Sequence, residues 1–485
     1  MSPNLKNKAI RGVKWTIIEA IGLRGVQFVV GIILARLLQP EQFGLIGMLL
    51  IFMALAQVFL DSGFGAALIQ KQDITQKDIS SIFYFNILVG FIAAICLCGI
   101  APWVAKFYNQ PILTPLLRLM SLVLVINSFG LVQNVLLRKA LDFKTETKVS
   151  LVASLLSGII GVTMAYCGFG VWSLIGQQLS AALFRTSLLW FFTSWRPIWV
   201  FSLQSLKSMF GFGSKVLCSS LLDTIFDNLY YLIIGKLFSP ASLGFYARAD
   251  NLQKLPSMTL SRVILRVTLP VFSMIQDDPE RVKRGMKKAM MTLALVNFPL
   301  MIGLAIVARP MVLVLLTEKW AHSIPYLQLL CVVGLMYPLQ GANLNILTAL
   351  GRSDLYLRVQ TVNKLLIAIN IAVTWQWGII AMITGQLIIS FVSYFLNAYY
   401  NKKLLNYSFL EQVKDIFPYF LNALLMGVGV YLITYMPIQN QIILLVSQIL
   451  IGGTLYILLC QIFRLSVFLE FQQMVVKRLL FKVIC

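Results

Sequence analysis

The chain has 485 residues, of which 59% are hydrophobic and only 12% charged, with a mean hydropathy of +0.83. A soluble core of this size has no need of so much apolar side chain, so the composition excludes a water-soluble globular protein and points to an integral membrane protein. The net charge of +22 would suit nucleic acid as a partner, but the placement of the bases excludes it.

A spanning helix needs roughly 20 mostly apolar residues. Fourteen segments fit, near 14–36, 43–64, 81–103, 113–136, 149–167, 171–192, 212–237, 243–265, 289–310, 325–347, 357–376, 379–400, 416–436 and 441–463. The basic stretch Lys6 to Lys14 leads into an apolar run too long for a cleaved signal peptide, so it opens the first span. Connections are short. The longest polar one, near 273–288, carries Asp277, Asp278, Glu280 and a run of bases. Beyond the last span, Val467, Phe471, Val475 and Leu479 recur at helical spacing with bases between. That pattern suits a helix lying along the inner membrane surface, or a disordered basic tail. The seven cysteines, including Cys96 and Cys98, have no spacing of a disulfide framework or a zinc site.

The bases set the orientation. With the N-terminus in the cytoplasm and the spans alternating, 31 of the 40 Lys and Arg fall on the cytoplasmic side. Among them are Arg138, Arg185, Arg262, Arg266, Arg281, Lys283, Arg284, Lys287 and Lys288. This asymmetry predicts that both termini are cytoplasmic. Spread over many loops, the bases are topology signals and lipid-surface contacts.

A hairpin occurs twice. Arg36, Leu37, Pro40 and Gly44 recur as Lys236, Leu237, Pro240 and Gly244, 200 residues later without a gap. Each copy joins the end of one apolar run to the start of the next. Pro fixes φ in the tight connection and the later Gly permits close helix approach. A second match pairs Gly176-Gln177 with Gly385-Gln386 at an offset of 209. The repeat predicts an all-α integral membrane protein with two pseudo-symmetric six-helix lobes, residues 1–200 and 201–405. Six spans per half place the pseudo-two-fold axis along the membrane normal. Residues 406–485 then hold two further helices and a cytoplasmic tail.

Charges inside spans cost roughly 2.5–3.5 kcal/mol each at the membrane centre, so they need partners, water or a task. Span 1 carries Glu19 and Arg24, span 7 carries Asp223 and Asp227 on one face, and span 8 carries Arg248, Asp250 and Lys254. At about 1.5 Å per residue, Arg24, Asp223 and Lys254 lie nearest the midplane. On one reading these groups line a water-filled cavity. Arg24, Arg248 and Lys254 then hold an anionic headgroup, while Glu19, Asp223, Asp227 and Asp250 balance charge or couple an ion. On the other they pair with each other: Asp250 with Lys254 at i,i+4, and Arg24 with Asp223 or Asp227. Arg118, near the outer end of span 4, can snorkel to the surface. Asp61, at the inner end of span 2, reads as a cap or loop-ordering residue.

Catalysis finds little support. His322, the one histidine, sits in a short outer loop beside Glu318, Lys319 and Trp320. No Gly-rich phosphate loop, nucleophile elbow or metal cluster appears.

Three segments resemble Wzx-type polysaccharide flippases of the multidrug/oligosaccharidyl-lipid/polysaccharide exporter superfamily. They are Ala35 to Gly44, Leu60 to Gln70, and Gly244 to Ala249 with Leu255-Pro256 and Phe272 to Asp277. The resemblance is closest to the colanic-acid and teichuronic-acid exporter branch and covers essentially the whole chain. It implies a V-shaped pair of six-helix lobes with alternating access and an isoprenoid-pyrophosphate-linked oligosaccharide as cargo. A polysaccharide polymerase and chain-length machinery are implied as partners, in the bacterial cytoplasmic membrane. No cofactor is implied; a coupling ion, H+ or Na+, is left open. Arg24 and Arg248 match the cationic cavity residues of such proteins, whereas Asp223 and Asp227 depart from that pattern. A cation-coupled multidrug antiporter of the same fold is the alternative, though such antiporters typically stop at twelve spans. A membrane glycan polymerase fits the topology worst.

Overall fold

The computed structural model describes residues 3–61, 64–71 and 73–473. Ser62 and Gly63 of the second-span motif lie outside the described residues, as do Val475, Lys477, Arg478, Leu479 and Lys482 of the tail. The same holds for the side chains of Lys6 to Lys14, Arg262 and Arg266.

Among the described residues there is no strand. The first helices are α1 (Pro3–Leu37), α2 (Pro40–Asp61), α3 (Phe64–Gln70), α4 (Gln76–Tyr108), α5 (Leu113–Lys139), α6 (Phe143–Tyr166) and α7 (Val171–Phe192). Then come α8 (Leu203–Asp227), α9 (Leu229–Leu237), α10 (Pro240–Met274), α11 (Pro279–Ile306) and α12 (Ala308–Leu316). The last are α13 (Ser323–Ala349), α14 (Ser353–Thr374), α15 (Gly378–Leu405), α16 (Phe409–Ile433) and α17 (Gln441–Ile462). Each of the fourteen predicted spans falls on this helical framework. Nine described stretches are long and apolar enough to cross a membrane, one of them Ser353–Leu405, which holds both α14 and α15. A bent pair, Gly213–Asp227 with Leu229–Leu237, makes ten.

Local chemistry sets the helix ends. Thr75 and Asp78 form a capping box at the start of α4, and Asp142, Asp278 and Ser408 cap α6, α11 and α16 through side-chain oxygens. Asn109 and Asn406 close α4 and α15 in the left-handed conformation, which Asn tolerates better than most residues.

Two predicted spans are broken instead of continuous. Span 7 bends by 42° between α8 and α9. There the Asn228 side chain donates to the Thr224 carbonyl at 2.8 Å, in competition with the backbone ladder. Span 9 breaks at Val307, between α11 and α12. Pro310 has no N–H for the carbonyl of Ile306 and its ring would clash with it, so the helix stops and restarts.

The described residues pack as two units, Met1–Ala247 and Arg248–Cys485. In the first, α4 pairs with α5, α6 with α1 and α7, and α2 touches α4, α5, α8 and α9. This unit runs past residue 200 to include α8, α9 and the first two turns of α10. Phe83 anchors one cluster, edge-on to Phe129, Trp190 and Trp195. Gly158 lets α6 approach Val30 of α1 so closely that a Cβ there would stand 2.6 Å from a Val30 methyl.

In the second unit α11 packs on α13 and α16, α13 and α14 pack on α15, and α16 on α17. Its core includes Val282, Met286, Met290, Leu293, Phe298, Met301 and Leu339. Within lipid, apolar burial gives little drive for helix association, so packing and interhelical hydrogen bonds matter more, at about 0.6–2 kcal/mol per bond. Gln412 of α16 supplies two. It accepts from Asn343 of α13 at 3.2 Å and from Tyr394 of α15 at 3.1 Å. At one end of the unit, Lys283 pairs with Glu411 at 3.2 Å, Lys287 with Asp415 at 2.7 Å, and Lys288 with Glu470. Tyr407, between α15 and α16, donates to Asp415 at 2.9 Å. Burial, then the Asp415 carboxylate, pushes that phenol above its ordinary pKa, so it stays a donor.

Candidate functional site

The two copies of the hairpin fold alike. Each has its helix end at Leu37 or Leu237, two non-helical residues, and Pro40 or Pro240 opening the next helix. Leu38 N–H donates to the Leu34 carbonyl at 2.8 Å, and Phe238 N–H to that of Ile234 at 3.0 Å. Gln39 and Ser239 then cap the second helices. Gln39 N–H is taken by the Gln42 side chain at 3.1 Å, and the Ser239 hydroxyl accepts from Ser242 N–H at 3.2 Å.

The hairpins touch each other reciprocally. A Cβ on Gly44 would strike the Pro240 carbonyl oxygen, and one on Gly244 would strike that of Pro40. A Cβ on Gly47 would stand 3.1 Å from Leu243, and one on Gly235 would stand 3.0 Å from Met48. Lys236 donates to the Phe107 carbonyl, with its ammonium 4.7 Å from that ring's centroid. Backbone thus meets backbone at the positions where the repeat keeps proline and glycine.

The charged candidates divide between the units. In the first, Arg24 is half-buried on α1, and Asp223 and Asp227 are exposed on α8, the latter at the bend before Asn228. Glu19, also on α1, is half-buried. In the second unit Arg248 is half-buried near the start of α10. Lys254 and Asp250 form the ion pair their spacing allows, Nζ to Oδ2 at 2.7 Å. The Asp250 side chain is 3% exposed and that of Lys254 41%, so the carboxylate is sealed while the ammonium reaches outward.

Other charges escaped the sequence reading. Arg138 of α5 holds Glu146 of α6 at 2.8 Å, and Arg185 is half-buried on α7. The sequence counts Arg138 and Arg185 as topology bases. The available signal was the tight turn between α5 and α6, which sets Arg138 opposite Glu146 on antiparallel helices. Asp61 accepts from Gln57 at 3.1 Å within its own helix. Among the described residues no three His, Cys, Asp or Glu side chains could hold a metal ion.

Comparison with known proteins follows the same lines. TuaB of Bacillus subtilis, described as a teichuronic acid biosynthesis protein, is 29% identical over 359 residues, covering 73% of this chain and 74% of its own. WzxC of Escherichia coli, described as a lipopolysaccharide biosynthesis protein, is 28% identical over 425 residues, with 86% of each chain covered. Among solved structures, the lipid II flippase MurJ in an inward closed conformation superposes with a TM-score of 0.76 at 16% identity. That match covers 92% of this chain and 98% of MurJ, and shows a shared fold. The family model described as polysaccharide biosynthesis protein matches residues 33–325, more than half of the sequence. The chain therefore belongs to the polysaccharide biosynthesis protein family of membrane proteins.

Proposed function

We propose that this protein is a flippase that carries isoprenoid-pyrophosphate-linked oligosaccharide across the bacterial cytoplasmic membrane by alternating access. The observation that carries this reading is the reciprocal contact of the repeated hairpins at Gly44 and Gly244. A headgroup crosses without leak only when one mouth closes as the other opens, and the hairpins supply a closure built from the repeat itself. Family membership and the names of TuaB, WzxC and MurJ support the substrate class.

In this reading the chain has fourteen spans, lobes at 1–200 and 201–405, and two added helices at 406–485. Both termini are cytoplasmic and the hairpins face outward. Arg24, Arg248 and Lys254 contact the pyrophosphate or acidic sugar, and Glu19, Asp223, Asp227 and Asp250 balance charge or couple an ion. The protein moves its substrate and hands it to a polymerase and chain-length machinery in the outer leaflet.

The test is reconstitution of the full chain in proteoliposomes with a fluorescent undecaprenyl-pyrophosphate oligosaccharide. Flippase activity makes label in the inner leaflet accessible to an external quencher. Vesicles that leave this label in place but expel a cationic dye would support the antiporter instead. Topology is checked in intact cells, where an impermeant thiol reagent should reach Ala321→Cys and miss Asp278→Cys.

A further inference from the structure

Residues 193–202, between α7 and α8, join the two repeats. Fully extended, ten residues span about 33–36 Å, enough for a free tether. They are sewn down instead. Arg196 folds back on the end of α7, donating to the carbonyls of Trp190, Thr193 and Trp195 at 2.9, 2.7 and 2.8 Å. Its guanidinium lies 5.3 Å from the centre of the Trp190 ring. The rest is tied to the start of α4. Trp195 Nε1 donates to the Gln76 side chain at 2.8 Å, and Gln76 donates back to the Arg196 carbonyl at 2.7 Å. Ile198 N–H donates to the Ser80 hydroxyl at 3.1 Å and Ser202 N–H to that of Ser81 at 2.9 Å, both serines being fully buried. Trp195 lies edge-on to Phe83, and Trp199 stacks on Tyr84.

The helix that holds this strap also sets its height. α4 is long and apolar enough to cross a membrane, and between Asp78 and Lys106 it carries no charged residue. Its apolar stretch starts just beyond Ser81, so the strap is tied level with the polar end of a span. Non-helical backbone does not face the hydrocarbon, whereas headgroups and water satisfy it at the boundary. The strap presents an apolar surface there. Trp199 is 94% exposed and Leu203 73%, with Phe201 exposed between them. Phe191 and Phe192, at the end of α7, are exposed as well. No Asp or Glu occurs between Glu146 and Asp223, and the exposed Lys207 stands one turn into α8. Aromatic rings beside a base, with no acid near in sequence, match an anionic lipid surface. The ammonium meets headgroup phosphate and the indole sits at headgroup level.

We propose that residues 193–203 are a membrane-docking strap whose Trp199, Phe201 and Leu203 enter the headgroup–acyl boundary of an anionic lipid leaflet. Gln76, Ser80 and Ser81 hold it in place. The connection between the repeats is then an anchor and not slack. The leaflet is the cytoplasmic one on the topology proposed above; the docking to lipid stands without that topology and without the flippase reading.

Electron spin resonance on the full-length protein, in vesicles of phosphatidylethanolamine and phosphatidylglycerol, reads the docking. Nitroxides are attached singly at Trp199→Cys, Phe201→Cys and Leu203→Cys after the native cysteines are replaced by alanine. Collisions with oxygen, which concentrates in lipid, should exceed those with a water-soluble nickel chelate several-fold at all three positions. A label at Asp278→Cys should show the reverse. Dominant nickel collisions at 199, 201 and 203 put the strap in water and overturn the proposal. Protection from both reagents marks a covering protein surface and overturns it too. Ser80→Ala with Ser81→Ala should release the strap, sharpening the spectrum at 201 and lowering its oxygen preference several-fold. Threonine at both places keeps the hydroxyls and should leave the spectrum unchanged. An alanine pair with the wild-type spectrum and oxygen preference overturns the clamp.

Discussion

Gly44 lies against the carbonyl oxygen of Pro240 so closely that a single methyl group could not be inserted between them. The reciprocal pair, Gly244 and Pro40, is equally tight. Gly44→Ala or Gly244→Ala should therefore force the hairpins apart. Overpacking of this kind costs about 1–3 kcal/mol. At about 1.4 kcal/mol per factor of ten, the closed population should fall by roughly one to two orders of magnitude. Thiol labelling of a Gln39→Cys reporter should speed up accordingly. Unchanged labelling and unchanged flipping in both alanine variants would show that the contact is not the closure.

A disulfide should do the opposite. Cysteines placed together at Gln39 and Ser239, or at neighbouring pairs, should cross-link where their Cα atoms come within about 7 Å. The bond should hold the hairpins together, stop flipping and release it again on reduction. Cross-linked protein that flips at the uncross-linked rate would reduce the repeat to a mark of shared ancestry.

Arg24→Ala or Arg248→Ala should abolish flipping without preventing membrane insertion, because an anionic headgroup loses a charge-assisted contact worth about 1.5–3 kcal/mol. Lysine at either place should rescue in part, since it keeps the charge and loses the planar fork. Normal export by both alanine variants would leave the two arginines with a structural role.

Asp250 and Lys254 separate packing from transport. Lys254→Ala takes the ammonium away from a carboxylate that is 3% exposed. Such a change should destabilise the protein by about 1–3 kcal/mol. Combining it with Asp250→Asn should return most of that loss in thermal unfolding. Restored stability with flipping still lost assigns Lys254 to the headgroup; restored flipping assigns the pair to the scaffold.

Much of this architecture was legible because lipid restricts the options. Each long apolar run is helical, and the Pro and Gly of the hairpins mark a turn whose two copies fold alike. The breaks at Asn228 and Val307 were missed because hydropathy is blind to backbone competition, although Pro310 was a visible signal for the second. The i,i+4 spacing of Asp250 and Lys254 made their pairing legible as one of two options. The Arg138–Glu146 pair was not, since its members come from different helices and a single sequence does not say which helices are neighbours.

The clasp of α11 to α16 has a practical consequence. Lys283–Glu411 and Lys287–Asp415 fasten one end, and Tyr456 of α17 donates to the Leu295 carbonyl of α11 at 2.7 Å farther along. Helices added to the repeat are therefore bolted to the second unit instead of hanging from it. A fluorophore fixed at the α16–α17 connection rides with α11 and reports the displacement of the whole second unit, which makes this appendix a ready handle for following single transport cycles.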